Sequence, residues 1–414
     1  MRYAGPGATA QAERCMRCGN CQAVCPVYRE ERLESGVARG RLAAIRRLQA
    51  GELEPDDALY KRVFKCTLCM ACEAHCPSGV RTQTAFLGAR EALADRTPLF
   101  KGLVCRVLQG GPGDTARALK AARLVQRAAF ATLGRDHLRP RLPLGLFFRR
   151  IIPQVAPRPL TAGPEVYRPA GRPRARVAFF TGCMLNYVYA RTGRAVVQVL
   201  VGLGFEVVVP RGQHCCGTPL LAAGKTGAAR ELARYNVTLF SEVRADLVVT
   251  ACASCGGALR HGFSDLTGAE EARALAEIAC DFAMLIADGR LSTGFRGAVT
   301  YHHPCHLIRG QGVSEEPVAL LEGLGGAQYV ASADADSCCG GGGTFSLEYY
   351  GLARRIGARK VSAALKAGAR ALVTECPACV MHLTDCVHLA GAPLEVLHLA
   401  DLLTLEGESA GCLT

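Results

Sequence analysis

A chain of 414 residues, half of them apolar and only 6% aromatic, suits two or three globular domains with cores of their own and excludes a disordered protein. Its 22 cysteines exceed any ordinary usage, yet a disulfide framework belongs to small secreted domains, and this chain is too long for that class. The formal charge of +13 is a local feature: residues 78–176 carry 19 Lys and Arg against 5 Asp and Glu, and the rest is close to neutral.

Between Met1 and Cys15 there is no seven-residue apolar core followed by a small-residue cleavage site, so no signal peptide is expected. No run of eighteen apolar residues exists either; residues 196–209 are interrupted by Gln198, Gly202, Gly204 and Glu206. The expectation is a cytoplasmic, reducing location in which thiolates are free to take iron or zinc.

Residues 1–95 read as a compact helical unit around a motif used twice, C-x2-C-x2-C-x3-C-P, at Cys15, Cys18, Cys21, Cys25, Pro26 and at Cys66, Cys69, Cys72, Cys76, Pro77. Between the copies, Val37, Leu42, Ile45 and Leu48 recur at helical spacing, with Arg39, Arg41, Arg46 and Arg47 off the apolar face. Gly51 is a stop, and Glu54-Pro55-Asp56-Asp57 opens a second helix running to Lys65. Each [4Fe–4S] cube needs four thiolates. Three at C-x2-C-x2-C fit one cube, and the fourth, followed by Pro, reaches the neighbouring cube, as in two-cluster ferredoxins. One cluster then takes Cys15, Cys18, Cys21 and Cys76, the other Cys66, Cys69, Cys72 and Cys25. Zinc sites are the competing reading, but they use separated C-x2-C pairs.

Residues 96–176 form a basic linker. It contains Gly110-Gly111-Pro112-Gly113, a basic helical stretch over 114–133, and then Pro140, Pro143, Pro153, Pro157, Pro159, Pro164, Pro169 and Pro173. That proline density predicts an extended connection. Residues 142–152, L-P-L-G-L-F-F-R-R-I-I, combine apolar and cationic side chains. They suit either an interfacial segment on anionic lipid at the inner face of the cell membrane or a strap packed on its own protein or docked on an acidic partner, and the strap is the reading taken. No groove-reading motif accompanies the charge, so nucleic acid is not expected.

From residue 177 the pattern is α/β. Apolar runs end at cysteines: 177–180 before Cys183, 205–209 before Cys215, 247–250 before Cys252, then 299–301 before Cys305, 328–330 before Cys338 and 372–374 before Cys376. Helical stretches such as 194–203 and 228–243 separate them. The pattern Cys, Cys-Cys-Gly, C-x2-C occurs as Cys183, Cys215, Cys216, Cys252, Cys255 and as Cys305, Cys338, Cys339, Cys376, Cys379. The offset between copies is nearly constant, which predicts a duplication: two βαβαβ lobes, 177–296 and 297–414, with cysteines converging beyond the carboxyl ends of parallel strands. The fold class is thus α+β overall, an α-helical two-cluster ferredoxin-like domain followed by duplicated α/β lobes. Five cysteines are one too many for a cube or for tetrahedral zinc.

Three neighbours of these motifs invite other readings. The glycines at 340–343 are followed by no Lys-Ser/Thr and are read as room for close backbone approach, not as a phosphate loop. His302, His303 and His306 in H-H-P-C-H are read as hydrogen-bonded supports of the site rather than ligands. Cys105, Cys280, Cys386 and Cys412 match no motif and are taken as ordinary thiols.

The duplicated module resembles the cysteine-rich (CCG) domain of heterodisulfide reductase catalytic subunits. That resemblance implies a non-cubane [4Fe–4S] cluster at each five-cysteine set, with zinc left open in either lobe. Over nearly its full length, and beyond the cysteines in F-F-T-G-C-M-L-N-Y (179–187), C-C-G-T-P-L-L-A-A-G (215–224) and C-C-G-G-G-G-T-F (338–345), the chain resembles iron–sulfur subunits of glycolate and lactate oxidases. The anaerobic glycerol-3-phosphate dehydrogenase subunit is of like build. The resemblance implies an electron-transfer subunit, not catalytic alone, served by an FAD flavoprotein and passing electrons to quinone or another acceptor. No G-x-G-x-x-G lies between a strand and a helix here, which agrees with the flavin residing on a partner. The rival reading is a reductase that itself cleaves disulfides.

Overall fold

The computed structural model describes residues 8–133, 137–141, 150–287, 289 and 291–405. Helices Ala8–Glu13, Ala38–Gln49, Asp57–Phe64 and Thr82–Ala92 make the N-terminal unit. Asp56 starts the third of these by accepting a hydrogen bond from the Leu59 N–H at 2.7 Å, the capping role its sequence position suggests. Leu42, Ile45, Leu59, Val63 and Phe86 fill the core between them. Arg41 departs from expectation. It lies four residues before Ile45 on the same stripe, so its side chain turns inward and is 1% exposed.

The linker has more structure than its prolines suggest. Helices Leu99–Gln109 and Pro112–Ala129 form a hairpin, closed where Thr115 donates to the Val107 carbonyl at 2.9 Å. Strands Phe130–Leu133, His137–Pro140 and Ile152–Pro153 follow as an antiparallel ribbon. Residues 142–149, most of the apolar–cationic stretch, lie outside the described residues, as does Cys412. The end of that stretch is packed on the second lobe: Ile151 N–H donates to Asp385 Oδ1 at 2.9 Å and Arg150 donates to the Ser346 carbonyl at 3.0 Å. No helix among the described residues is long and apolar enough to cross a membrane.

Each lobe is a parallel sheet covered by helices. In the first, strands Arg176–Phe179, Glu206–Val208, Leu247–Thr250 and Ala279–Asp281 lie in spatial order second, first, third, fourth. Strands Gly297–Tyr301, Ala327–Tyr329, Ala371–Thr374 and Glu395–His398 repeat that order in the second. The six strands expected from apolar runs are present within a residue or two. The fourth strand of each sheet, Ala279–Asp281 and Glu395–His398, extends the βαβαβ pattern. Short strands interrupted by Cys280, or by Glu395 and His398, carry no apolar run to announce them. Strand Val166–Tyr167, from the linker, adds an antiparallel edge to the first sheet. One hydrophobic cluster runs from the N-terminal helices through both sheets.

Candidate metal centres

The two cysteine loops of the N-terminal unit share a backbone device. Arg17 and Leu68 have φ of 59° and 55°, and the next pair of equivalents, Gly19 and Met70, have φ of 93° and 60°. Left-handed backbone at these positions curls each loop so that its cysteines face inward; for Leu68 and Met70 that costs strain, which accumulates at functional sites. One cavity is lined by Cys25, Cys66, Cys69 and Cys72, and a second by Cys15, Cys18, Cys21, Cys72 and Cys76. Cys25 thus lies on the cavity of the second loop and Cys76 on that of the first, with Cys72 lining both. In the outer group Cys18 is exposed, whereas Cys25 and Cys69 of the inner group are buried.

The donor set fits thiolate-held iron. Backbone N–H groups of Tyr28, Leu68 and Val80 point at the sulfurs of Cys25, Cys66 and Cys76 at 3.5, 3.4 and 3.4 Å. Burial pushes the thiols of Cys25 and Cys72 up, Cys72 far up, so they lose their protons only to a metal or a nearby cation. Two buried guanidiniums flank the inner group without a carboxylate partner among the described residues. Arg41 donates to the carbonyls of Arg62 (2.9 Å) and Lys65, and Arg90 donates to those of Ala222 (2.8 Å) and Cys66 (2.6 Å). A buried cation is stable only with compensating negative charge, and a thiolate-held cluster supplies it.

In each lobe the five cysteines gather past the carboxyl ends of the strands. Gly217 and Gly340, the glycines of the two Cys-Cys-Gly turns, have φ of 82° and 91°, a left-handed backbone that glycine adopts without strain. Side-chain contacts join Cys183 to Cys215, Cys216 to Cys255 and Cys255 to Cys252 in the first lobe. In the second they join Cys305 to Cys338, Cys338 to Cys339, Cys339 to Cys379 (3.3 Å) and Cys379 to Cys376. Hydrogen bonding between neighbouring thiols lowers Cys216, Cys339 and Cys376 and raises their partners Cys215, Cys255 and Cys379, so protons are held unequally within each set.

Two contacts were invisible in the sequence. Cys252 meets Cys376, its counterpart in the other lobe, and Cys69 of the inner N-terminal group meets Cys305 and Cys338. The helix after each C-x2-C packs against the helix carrying the first cysteine of the opposite lobe, which brings the two sets edge to edge. The Gly342 backbone packs so closely on Thr67 that a Cβ there would sit 2.5 Å from its carbonyl oxygen. The glycines at 340–343 therefore do permit a close approach, to the inner cysteine loop.

The histidines divide. His306 serves as support: its Nδ1 pairs with Ser254 Oγ at 2.9 Å and its ring also reaches the Leu68 backbone, tying both lobes and the N-terminal unit together. His302 is wholly buried, and neither ring nitrogen has a hydrogen-bond partner among the described residues. One of its ring nitrogens lies within 4.8 Å of the sulfurs of Cys339 and Cys379. Sequence reasoning also missed Asp281 and Glu375, two buried carboxyls in contact across the lobe interface, with Tyr301 donating to Glu375 at 3.3 Å. Burial raises Asp281 to about 7 and Glu375 well above its usual range. Neither residue stands in a motif. Cys105 and Cys386 are buried thiols raised by desolvation, and Cys280 is half-buried in its strand, also raised, to about 12.

A 4Fe-4S dicluster domain matches residues 11–80, and the cysteine-rich domain matches residues 177–260 and 299–384. The chain is 28% identical to the probable glycolate oxidase iron–sulfur subunit of Bacillus subtilis, over 96% of this chain and 94% of that one. It is 27% identical to one subunit of the fumarate reductase (CoM/CoB) of Methanothermobacter marburgensis, over 96% of this chain and 73% of that protein. Lactate utilization protein A of a Geobacillus species is 30% identical, over 55% of this chain and 98% of its own length. With both cysteine-rich repeats and the dicluster unit accounted for, the chain belongs to the family of CCG-domain iron–sulfur proteins that includes lactate utilization protein A and the glycolate oxidase iron–sulfur subunits.

Proposed function

We propose that the chain is the iron–sulfur electron-transfer subunit of a 2-hydroxy acid (glycolate or lactate) dehydrogenase, working between a flavoprotein partner and quinone or another acceptor. Cys15, Cys18, Cys21 and Cys76 hold an outer cubane and Cys66, Cys69, Cys72 and Cys25 an inner one. Cys305, Cys338, Cys339, Cys376 and Cys379 hold the centre of the second lobe, and Cys183, Cys215, Cys216, Cys252 and Cys255 that of the first. Iron–sulfur clusters at these places supply one-electron redox centres.

The observation that carries the reading is the unbroken succession of cysteine sets. The outer group is the exposed one; the inner group shares a wall with it at Cys72, touches the second lobe through Cys69, and the second lobe touches the first through Cys376. The chain's own contribution is to fix this order, to bury four of the five cysteines of each lobe, and to offset cluster charge with Arg41 and Arg90. A flavoprotein docks beside Cys18. The helical hairpin of residues 99–129 offers a second surface, where Leu99, Leu103, Leu124 and Val125 are exposed among basic residues, suited to an acidic partner or a membrane face carrying quinone.

Iron and sulfide analysis of anaerobically purified protein, with EPR, tests this. About sixteen iron per chain is expected for four clusters; a chain loaded mostly with zinc would sink the reading. One observation favours a second function. Two five-cysteine sets meeting at Cys252 and Cys376 suit chemistry on a disulfide held between them. Turnover of disulfides by the chemically reduced protein would establish that reading, and its absence removes it.

A further inference from the structure

The two lobes carry the same five cysteines but not the same surroundings. Superposing the repeats on Cys183 and Cys305 pairs His302 with Phe180. The register is secured by equivalent hydrogen bonds, Phe180 N–H to the Val249 carbonyl at 2.9 Å and His302 N–H to the Val373 carbonyl at 2.8 Å. In the first lobe the residue does apolar work: the Phe180 ring packs on Phe240 and Phe263 at centroid distances of 5.2 and 6.2 Å. In the second lobe the same place holds an imidazole, wholly buried, with no hydrogen bond to either nitrogen among the described residues. The Ala335 carbonyl is near enough to attract the ring but stays outside hydrogen-bond geometry. It accepts instead from the His303 N–H at 3.1 Å and from Lys360 Nζ at 2.9 Å.

A buried imidazole with both nitrogens unsatisfied is unfavourable in a water-free interior, so it needs a compensating interaction. One lies in reach. A His302 ring nitrogen, Cys339 Sγ and Cys379 Sγ are all within 4.8 Å of one another, and the two sulfurs are 3.3 Å apart. Donors on one tetrahedral metal, at bond lengths of about 2.0–2.3 Å, stand roughly 3.5–3.8 Å apart. The three are therefore close to the spacing of donors on one metal ion. Cys216 and Cys255, the first-lobe counterparts of these cysteines, have a phenyl ring at the corresponding position and no such donor.

Resting on the reading that both lobes hold metal, we propose that His302 supplies an imidazole nitrogen to the second-lobe centre, so that the two lobes hold chemically different sites, one all-sulfur and one mixed nitrogen–sulfur. A neutral imidazole among the donors gives that centre a different charge distribution and potential from its all-thiolate counterpart. The duplicated module would then be two unlike stations, with the mixed one adjoining the inner N-terminal group.

Pulsed EPR on full-length, anaerobically loaded protein tests this, with histidine labelled with 15N. A directly bound nitrogen gives a strong hyperfine coupling that responds to the label. The expected result is one centre with that coupling, lost in His302→Phe, which installs the first-lobe residue, and kept in His303→Asn. If the second lobe takes zinc, X-ray absorption at the zinc edge reads the same bond as one nitrogen among sulfurs. A coupling absent from the wild-type protein, a coupling retained in His302→Phe, or an all-sulfur zinc shell overturns the proposal. The wild-type spectrum decides even if the variant fails to fold. Loss of the underlying iron–sulfur reading shows separately, as a lack of iron and sulfide on chemical analysis.

Discussion

The thiol of Cys69 lies against the thiol of Cys305, joining the N-terminal unit to the second lobe through residues that both belong to cysteine sets. Cys69→Ser should therefore disturb two centres. The expected result is loss of about four iron per chain together with a changed EPR signal from the second-lobe centre. Cys18→Ser, at the exposed end, should remove a similar amount of iron and leave the second-lobe signal intact. Identical spectra from the two variants would contradict the spatial order.

Arg90 donates to backbone carbonyls on both sides of the junction between the N-terminal unit and the first lobe, and it lies beside Cys66. Arg90→Met strips those carbonyls of their donor and removes a buried positive charge. It should destabilise the protein by about 3 kcal/mol, seen as a lower Tm. The inner cluster's midpoint potential should also move to more negative values, because its reduced, more negative state loses a compensating charge. A redox titration showing no shift would mean that Arg90 acts on packing alone.

Gly342→Ala would bring a methyl group within 2.5 Å of the Thr67 carbonyl, forcing the second-lobe cysteine loop away from the inner N-terminal loop. We expect iron content near that of the wild type but slower reduction of the lobe centres in stopped-flow mixing with reductant. Gly227→Ala, where nothing lies within 4 Å, is the control and should leave the kinetics unchanged.

His382 is 1% exposed and joins helix Pro377–Ala390 to helix Tyr350–Lys366 by its 3.1 Å hydrogen bond to the Ala353 carbonyl; burial lowers its pKa from 6.5 to about 4. Between those two values the unfolded chain binds a proton that the folded chain does not. Stability is therefore complete above pH 6.5 and falls as pH drops towards 4, by up to about 3 kcal/mol from this group. Thermal melts from pH 7.5 to 5 should show a smaller loss for His382→Gln than for wild type. Parallel curves would exclude this histidine as a source of acid lability.

The exposed apolar residues of the helical hairpin give the last prediction. Leu103→Ser with Leu124→Ser should leave folding and iron content unchanged while weakening attachment of the partner or of anionic vesicles. Flotation with and without purified partner separates the two, and undiminished attachment in both assays would remove the hairpin from the docking surface.

The amino-acid sequence by itself determined the cysteine motifs and the repeat. Thiolate spacing on a tight loop is a local matter, so the two C-x2-C-x2-C-x3-C-P motifs, the five-cysteine sets and the strands leading to them could be read directly. Even the exchange of Cys25 and Cys76 between N-terminal sites followed from motif chemistry and agrees with the two cavities. The inward turn of Arg41, the short fourth strands and the helices of the basic linker were harder to read, because charge and proline content obscured what packing later favoured. Only the tertiary structure decided which sets adjoin. That Cys69 meets Cys305, that Cys252 meets Cys376, and that His302 is buried without a partner beside two sulfurs all depend on surfaces brought together from distant parts of the chain. The physical reason is that periodicity and spacing encode contacts within an element or loop, whereas docking of one lobe on another is set by the shape of whole faces.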